Sequence, residues 1–340
     1  MRRLASAVLF LVAGAAHAQF KEKIDVVRIL VDVRVTDYLG HAITGLTPAD
    51  FDIRIGGKRA TIESIEFIED VSGAAAASAA DVGARERAPL HESKGRLFIF
   101  FVQTDFARNA IRVQGQMHFL RYAEKLIDGF TDDDRFAVLQ FDSHLKLRLD
   151  FTSDKEQVNE ALRRSLRIDR PEAPPIVPEP SLASRLDKTA MKDAADSESG
   201  LVVLANALRS IPGPKTILLL GWGLGELWNG RVYMTRKYEH ARQALDAART
   251  SIFAIDVPSV DFHSLEVGLQ QAAEDTGGLY VKTFRFPQLA IERVQRTLAG
   301  HYELELRRPD ELEPGRHRLS VNVKRRNVII LAPTTYVDRH

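Results

Sequence analysis

The sequence predicts an α/β fold, a doubly wound, mostly parallel sheet with helices on both faces, flanked on either side by β-rich segments. Between residues 97 and 280 one unit recurs four times: a short apolar run, a polar break, then a helix-length amphipathic stretch. The runs at 97–102, 136–141, 216–220 and 251–255 are rich in Val, Ile, Leu and Phe and nearly unbroken by polar residues. Strands buried on both faces of a parallel sheet have this composition. The segments 24–68 and 302–331 instead alternate apolar and polar residues, as strands with one solvated face do.

Taken in order, Arg2 and Arg3 precede an apolar stretch over 4–15 and then Ala16-His17-Ala18. That A-x-A pattern predicts an export signal over 1–18, cleaved after Ala18. The stretch is shorter than the roughly 20 residues a spanning helix needs. No later segment is long and apolar enough to span a bilayer, so the mature chain is expected to be soluble in the periplasm or outside the cell. Residues 19–70 supply the first β-strands, at 27–35, 51–55 and 60–68. Tyr38-Leu39-Gly40-His41 and Thr47-Pro48-Ala49-Asp50 punctuate them, and Gly56-Gly57-Lys58 closes a hairpin. Residues 71–94, dominated by Ala, Ser, Gly and charge, read as a mobile linker.

The α/β unit is expected over 95–300, with helices at 110–129, 155–167, 200–210, 235–250, 264–276 and 287–300. Gly277-Gly278 stops the fifth of these before a strand at 279–282. Prolines 171, 174, 175, 178 and 180 forbid a helix over 169–182 and favour an extended loop. In 301–340, strands are expected at 302–306, 318–323 and 328–331, with Pro314-Gly315 as a turn. Neither flank has enough strands for a sandwich of its own, whereas together they supply two packed sheets. The flanks are therefore expected to associate into one β-domain into which the α/β unit is inserted.

The 340-residue chain has no cysteine, and its 47 Lys and Arg nearly cancel 46 Asp and Glu. Disulfide staples, thiolate metal sites and cysteine nucleophiles are excluded. A near-neutral balance offers no global field for nucleic acid, and the basic runs Arg307-Arg308 and Lys324-Arg325-Arg326 lack interleaved aromatics.

Ligands of doubly wound sheets bind at the carboxyl ends of the strands, which points to Gln103–Ala107, Asp142–His144, Gly221–Glu226 and Asp256–Val260. Here a resemblance becomes specific. Val31-Asp32-Val33-Arg34-Val35-Thr36-Asp37, Gly40 and Ile43-Thr44-Gly45-Leu46-Thr47-Pro48-Ala49-Asp50-Phe51 resemble the opening of the von Willebrand factor A-related proteins common in Acidobacteria. Ile252-Phe253-Ala254-Ile255-Asp256, Ala272-Ala273-Glu274-Asp275-Thr276-Gly277-Gly278, Tyr302 and the closing strands through Tyr336 are similar to that family's later landmarks, in order. The resemblance covers nearly the whole mature chain. It implies a von Willebrand A-like core and an exported protein.

Such domains typically hold Mg²⁺ or Mn²⁺ through an Asp-x-Ser-x-Ser loop, a Thr from a second loop and an Asp from a third, because a hard cation needs several oxygen ligands. This chain departs from that pattern at each loop. The first window falls on Gln103-Thr104-Asp105-Phe106-Ala107, and a shifted register starting at Asp105 puts Ala107 and Asn109 at the serine positions. The second loop corresponds to Ser197-Glu198-Ser199-Gly200, with Ser199 as the available hydroxyl. The third reads Gly221-Trp222-Gly223, with an indole where the carboxylate belongs. The expectation is that no metal or other cofactor is held; were one present, Asp105, Ser199 and Asp256 would be its ligands.

Asp105, Asp142 and Asp256 stand at or near three strand ends, where they either gather around a basic group or cap turns. Trp222 and Trp228, the only tryptophans, lie in or beside a glycine-rich loop. Exposed loop aromatics anchor protein partners, and Trp222 alternatively fills the space of a cation and its water. Thr104, Asp105, Asp142, Trp222, Glu226 and Trp228 are accordingly the candidate binding residues for a protein partner.

Enzyme motifs are lacking. Gly221-Trp222-Gly223-Leu224-Gly225-Glu226 places a repelling carboxylate where a dinucleotide loop needs glycine. There is no G-x-S-x-G elbow, no phosphate-binding G-x-x-x-x-G-K-[ST] and no H-E-x-x-H. The reading is a non-enzymatic exported binding module; the alternatives are a cation-dependent adhesin with non-standard ligands and a periplasmic hydrolase.

Overall fold

The computed structural model describes residues 28–69, 95–104, 110–166, 174–175, 177–310 and 312–338. The expected signal over 1–18, the linker over 71–94 and Asp105 lie outside them. The chain runs β1 (Arg28–Thr36), β2 (Phe51–Ile55), β3 (Lys58–Arg59), β4 (Thr61–Glu69), β5 (Leu97–Gln103), α1 (Ala110–Asp128), β6 (Arg135–Phe141), β7 (Leu145–Thr152), α2 (Lys155–Ser165), α3 (Lys188–Asp193) and α4 (Ser197–Leu208). It continues through β8 (Lys215–Gly221), β9 (Glu226–Trp228), β10 (Arg231–Tyr233), α5 (Arg236–Ala247), β11 (Thr250–Asp256), α6 (Glu266–Asp275), β12 (Tyr280–Lys282) and α7 (Pro287–Thr297). Four strands close it: β13 (Gly300–Arg307), β14 (Gly315–Val323), β15 (Ile329–Leu331) and β16 (Thr335–Asp338).

The four apolar runs form β5, β6, β8 and β11, the centre of a six-stranded sheet ordered β12-β11-β8-β5-β6-β7. All neighbours are parallel except β6 and β7. Alternate side chains of each strand enter opposite cores, which is why the runs are continuously apolar. Ile99 and Phe101 pack under α4, α5 and α6 with Leu204, Leu245 and Leu269. Phe98 and Phe100 pack under α1, α2 and α7 with Phe119, Leu162 and Val294. Counted within the sheet the order is 3-2-1-4-5-6, and the winding reverses between β5 and β8. That reversal is the switch point, where a crevice opens at the carboxyl ends.

The flanks do share one core. Antiparallel sheets ordered β15-β1-β13-β4 and β16-β14-β2-β3 each combine strands from both ends of the chain. Val33, Phe51, Ile53, Ile55, Tyr302 and Leu304 are buried between them. The Tyr302 hydroxyl donates to the Ile43 carbonyl at 2.9 Å and accepts from the Leu46 amide at 3.0 Å, so a buried phenol also fixes the loop after β1.

Several elements differ from expectation. The Gly56-Gly57 turn joins β2 only to the two-residue β3; the buried Ala60 is a corner, after which β4 crosses to the other sheet and pairs with β13. β7, unanticipated, is the antiparallel edge of the central sheet, and its alternating Leu145-Lys146-Leu147-Arg148 fits a strand with one covered face. α4 starts at Ser197 rather than 200 because Asp196 caps it, accepting from the Ser199 amide at 2.8 Å. α3, β9 and β10 occupy stretches for which no helix or strand is expected.

Candidate functional site

At the switch point the last residue of β5, Gln103, is buried between the end of β8 and the start of α4. Its Oε1 accepts from the Trp222 amide at 2.9 Å and the Gly223 amide at 3.3 Å. Its Nε2 donates to the Gly223 carbonyl at 2.7 Å and the Ser197 hydroxyl at 2.9 Å. The Gln103 carbonyl in turn accepts from the Gln116 side chain of α1. The orientation of the amide follows from its neighbours, since two backbone donors face one end and a carbonyl the other. A Cβ at position 221 would stand 2.3 Å from Gln103 Oε1, so the close approach requires Gly221. One neutral side chain thereby ties together three loops that converge on the crevice.

The neighbouring candidates are engaged within the fold. Thr104 is buried; its hydroxyl donates to the Ser165 carbonyl at 3.2 Å and accepts from Gln140 Nε2 at 3.1 Å. The Asp142 carboxylate is covered and accepts from Lys146 Nζ and the Ser143 amide, both at 2.5 Å. Burial alone would raise the pKa of Asp142; the Lys146 and Ser143 contacts outweigh it and hold the carboxyl below its usual value. Trp222 is half-buried with the Arg112 guanidinium 3.7 Å over its ring, a cation–π contact. Its indole Nε1 has no hydrogen-bond partner among the described residues.

Beyond Trp222 the chain forms a feature the sequence reading missed. β9 and β10 pair in register, Trp228 opposite Arg231 and Leu227 opposite Val232. Asn229 and Gly230 make the turn at φ 48° and 74°, the left-handed pair of a type I′ hairpin. Asn-Gly between apolar pairs is the sequence signal for such a turn. The hairpin presents Leu227, Trp228 and Tyr233 at 52, 69 and 51% exposure, and Glu226 is exposed beside them. Its base is fixed where the Gly225 amide donates to Glu198 Oε1 at 2.7 Å, and β10 leans against α6.

Asp256, at the end of β11, is buried and turned toward β12. It accepts from the Tyr280 hydroxyl at 2.8 Å and from His263 Nε2 at 3.0 and 3.2 Å. Burial first, then the Asp256 charge, pushes the Tyr280 phenol above its ordinary value. Glu266 stands alongside, paired with Lys282 at 2.9 Å. One ligand atom each from Asp256, His263 and Glu266 lies within 4.8 Å of the others, a donor set suited to a borderline cation such as zinc. Ser199 belongs to the capped first turn of α4 instead, so the structure gives Ser199 and Asp256 different partners. Among the described residues no helix is long and apolar enough to cross a membrane.

No protein-family model and no curated protein matches the chain. Among solved structures it is similar to a von Willebrand factor type A protein from Catenulispora acidiphila, with 10% identity over 93% of this chain and 75% of that one and a TM-score of 0.41. An aerotolerance-related membrane protein from Bacteroides fragilis gives 12% identity over 60% of this chain and 98% of that one, with a TM-score of 0.40. Proximal thread matrix protein 1 of the mussel byssus gives 16% identity over 63% of this chain and 48% of that one, with a TM-score of 0.38. The chain thus spans about half the length of the mussel protein. The strand order described above is that of a doubly wound, mostly parallel α/β sheet.

Proposed function

We propose that the protein is an exported, non-enzymatic protein-binding module whose switch point no longer uses a divalent cation. The observation that carries this reading is the Gln103 amide. A cation face needs oxygen donors left open to the metal and to a partner's carboxylate. Here Gln103, at the end of β5, directs Nε2 at Gly223 and Ser197 and commits Oε1 to two backbone amides. An indole stacked by Arg112 stands in the loop where a third ligand would be. The partner contact is assigned to the hairpin, where the register puts the exposed Trp228 and Tyr233 on one face and the exposed Leu227 on the other, residues of the kind that anchor protein interfaces.

Thermal melting of residues 19–340 in EDTA against millimolar Mg²⁺, Mn²⁺ and Ca²⁺, with metal analysis of the purified protein, tests the first part. No shift and no bound metal are expected; a rise of several degrees that vanishes in Asp105→Ala overturns it. Comparative capture from extracts tests the second: a protein retained by the wild type is lost with a Leu227→Ser, Trp228→Ser double variant. Retention that is equal in both, or that EDTA abolishes, sinks the hairpin assignment.

The cation-dependent adhesin keeps one supporting observation, the Asp256, His263 and Glu266 cluster. On that reading Zn²⁺ or Mn²⁺ raises the melting temperature of the wild type and not of His263→Ala, by binding to the native state alone.

A further inference from the structure

At the opposite end of the central sheet, the β-domain covers the amino ends of β8 and β11 and leaves a cleft of about 350 Å³ between the two units. Clefts of this size at domain boundaries are where small ligands commonly bind. The charges lining it are unequally answered. Arg249 Nη2 pairs with Asp32 at 2.6 Å and Glu303 at 2.5 Å, and Asp246 accepts from the Thr335 hydroxyl at 2.6 Å. Lys215 is only 3% exposed, yet among the described residues its ammonium donates to one group, the Ile211 carbonyl, and pairs with no carboxylate. A buried ammonium with donors to spare is costly unless an anion meets it. Burial first, and then the Arg249 charge, pushes Lys215 down to about 8, so it remains mostly protonated at neutral pH.

The remaining walls define the anion. On β1 the alternation that buries Ile29 and Val31 in the β-domain turns Leu30, Asp32 and Arg34 toward the cleft, and Leu30 is left 44% exposed. Pro214 and Pro333 add apolar surface. Arg28, Arg34 and Arg249 line the same space but are engaged by Glu305, by the Phe253 ring and by Asp32 and Glu303 in turn, so Lys215 is the cation that a single carboxylate would meet. We propose that this cleft binds a small monocarboxylate, its carboxylate on the Lys215 ammonium and its short apolar body against Leu30, Pro214 and Pro333. Such a ligand bridges the β-domain and the α/β unit and stabilises their junction.

The test is thermal melting of the full chain with sodium hexanoate, against sodium chloride and hexylammonium chloride at the same ionic strength. Wild type is expected to show a rise of about 2 °C once hexanoate reaches roughly ten times its Kd, growing further with the logarithm of its concentration, with no response to hexylammonium. Lys215→Met removes the buried charge at similar length, so it is expected to melt no lower than wild type in chloride and to lose the hexanoate response. Leu30→Glu, at a partly exposed position that tolerates charge, also abolishes the response and serves if Lys215→Met does not fold. The proposal fails if hexanoate acts no differently from chloride on the wild type. It also fails if hexylammonium matches hexanoate, or if either folded variant responds as the wild type does.

Discussion

The two ends of the central sheet treat polar groups in opposite ways. At the carboxyl ends, where a doubly wound sheet ordinarily meets its ligand, the Gln103 amide finds an answering group at its oxygen and at its nitrogen, all within the chain. At the amino ends, under the β-domain, an ion cluster holds the two units together while the Lys215 ammonium has, among the described residues, a single carbonyl. A neutral amide is self-sufficient because it donates and accepts; a lysine only donates, and burial leaves it dependent on whatever acceptors the packing supplies. The fold thus answers the Gln103 amide at one end of the sheet and leaves a cleft at the other, where the two units meet.

The strongest way to break the contrast is at the ion cluster. Arg249→Met strands Asp32 and Glu303 at the junction, and a loss of about 3 kcal/mol is expected in denaturant melts, since breaking a buried pair leaves a charge uncompensated. A loss under about 1 kcal/mol would mean that packing alone holds the units. At the other end, Gln103→Ala leaves the Trp222 and Gly223 amides and the Gly223 carbonyl without their partner. A cost of about 2 kcal/mol is expected there, with no metal binding gained. A variant as stable as wild type would show that water replaces the amide, and the crevice would have to be regarded as open.

The pH dependence sharpens the picture of the junction. Burial pushes the Asp246 carboxyl up to about 7, with Asp275 and Glu239 adding to it against the pull of Thr335 and Arg242. A raised carboxyl holds its proton better in the native state. Its contribution is therefore complete below the ordinary carboxylate value of 3.8 and is lost as the pH rises through about 7. Lys215 works in the reverse sense. Its folded value of about 8 lies below the ordinary lysine value of 10.5, so the unfolded chain binds the extra proton and stability rises with pH across that interval. Melting curves should be flattened in the acidic window by Asp246→Asn and in the alkaline window by Lys215→Met. If neither variant changes the profile, the junction is wetter than its packing implies. The smallest effect belongs to the hairpin: Trp228→Ser should alter stability by less than about 0.5 kcal/mol while weakening the proposed partner contact.

How much of this was legible follows from which interactions are local. Strands β5, β6, β8 and β11 announced themselves because burial on two faces demands unbroken apolar runs. The flanking strands were legible through alternation, and their association through their small number. β7 has the same alternation, but lying just after a core strand it went unassigned, and its pairing with β6 is irregular near Val138. The hairpin carried an explicit Asn229-Gly230 signal that the surrounding glycines obscured. Gln103 was visible only as a polar residue where a carboxylate is usual. Its role depends on Ser197 and Gly223, 94 and 120 positions away, which no local pattern brings together. The Lys215 cleft is less legible still, since it exists only once β1 is laid across β8 and β11.

The pairing of Arg28 with Arg307 imposes an order of assembly. During synthesis β1 and β4 must wait for β13, their shared neighbour, whereas every strand of the central sheet is complete by Lys282. Contacts of such sequence separation form slowly. The inserted unit therefore has time to fold as the early domain, while two unpaired strand edges stay exposed upstream. A chain ended before residue 300 would carry an intact central sheet beside open edges, and would be caught by aggregation rather than by loss of its core.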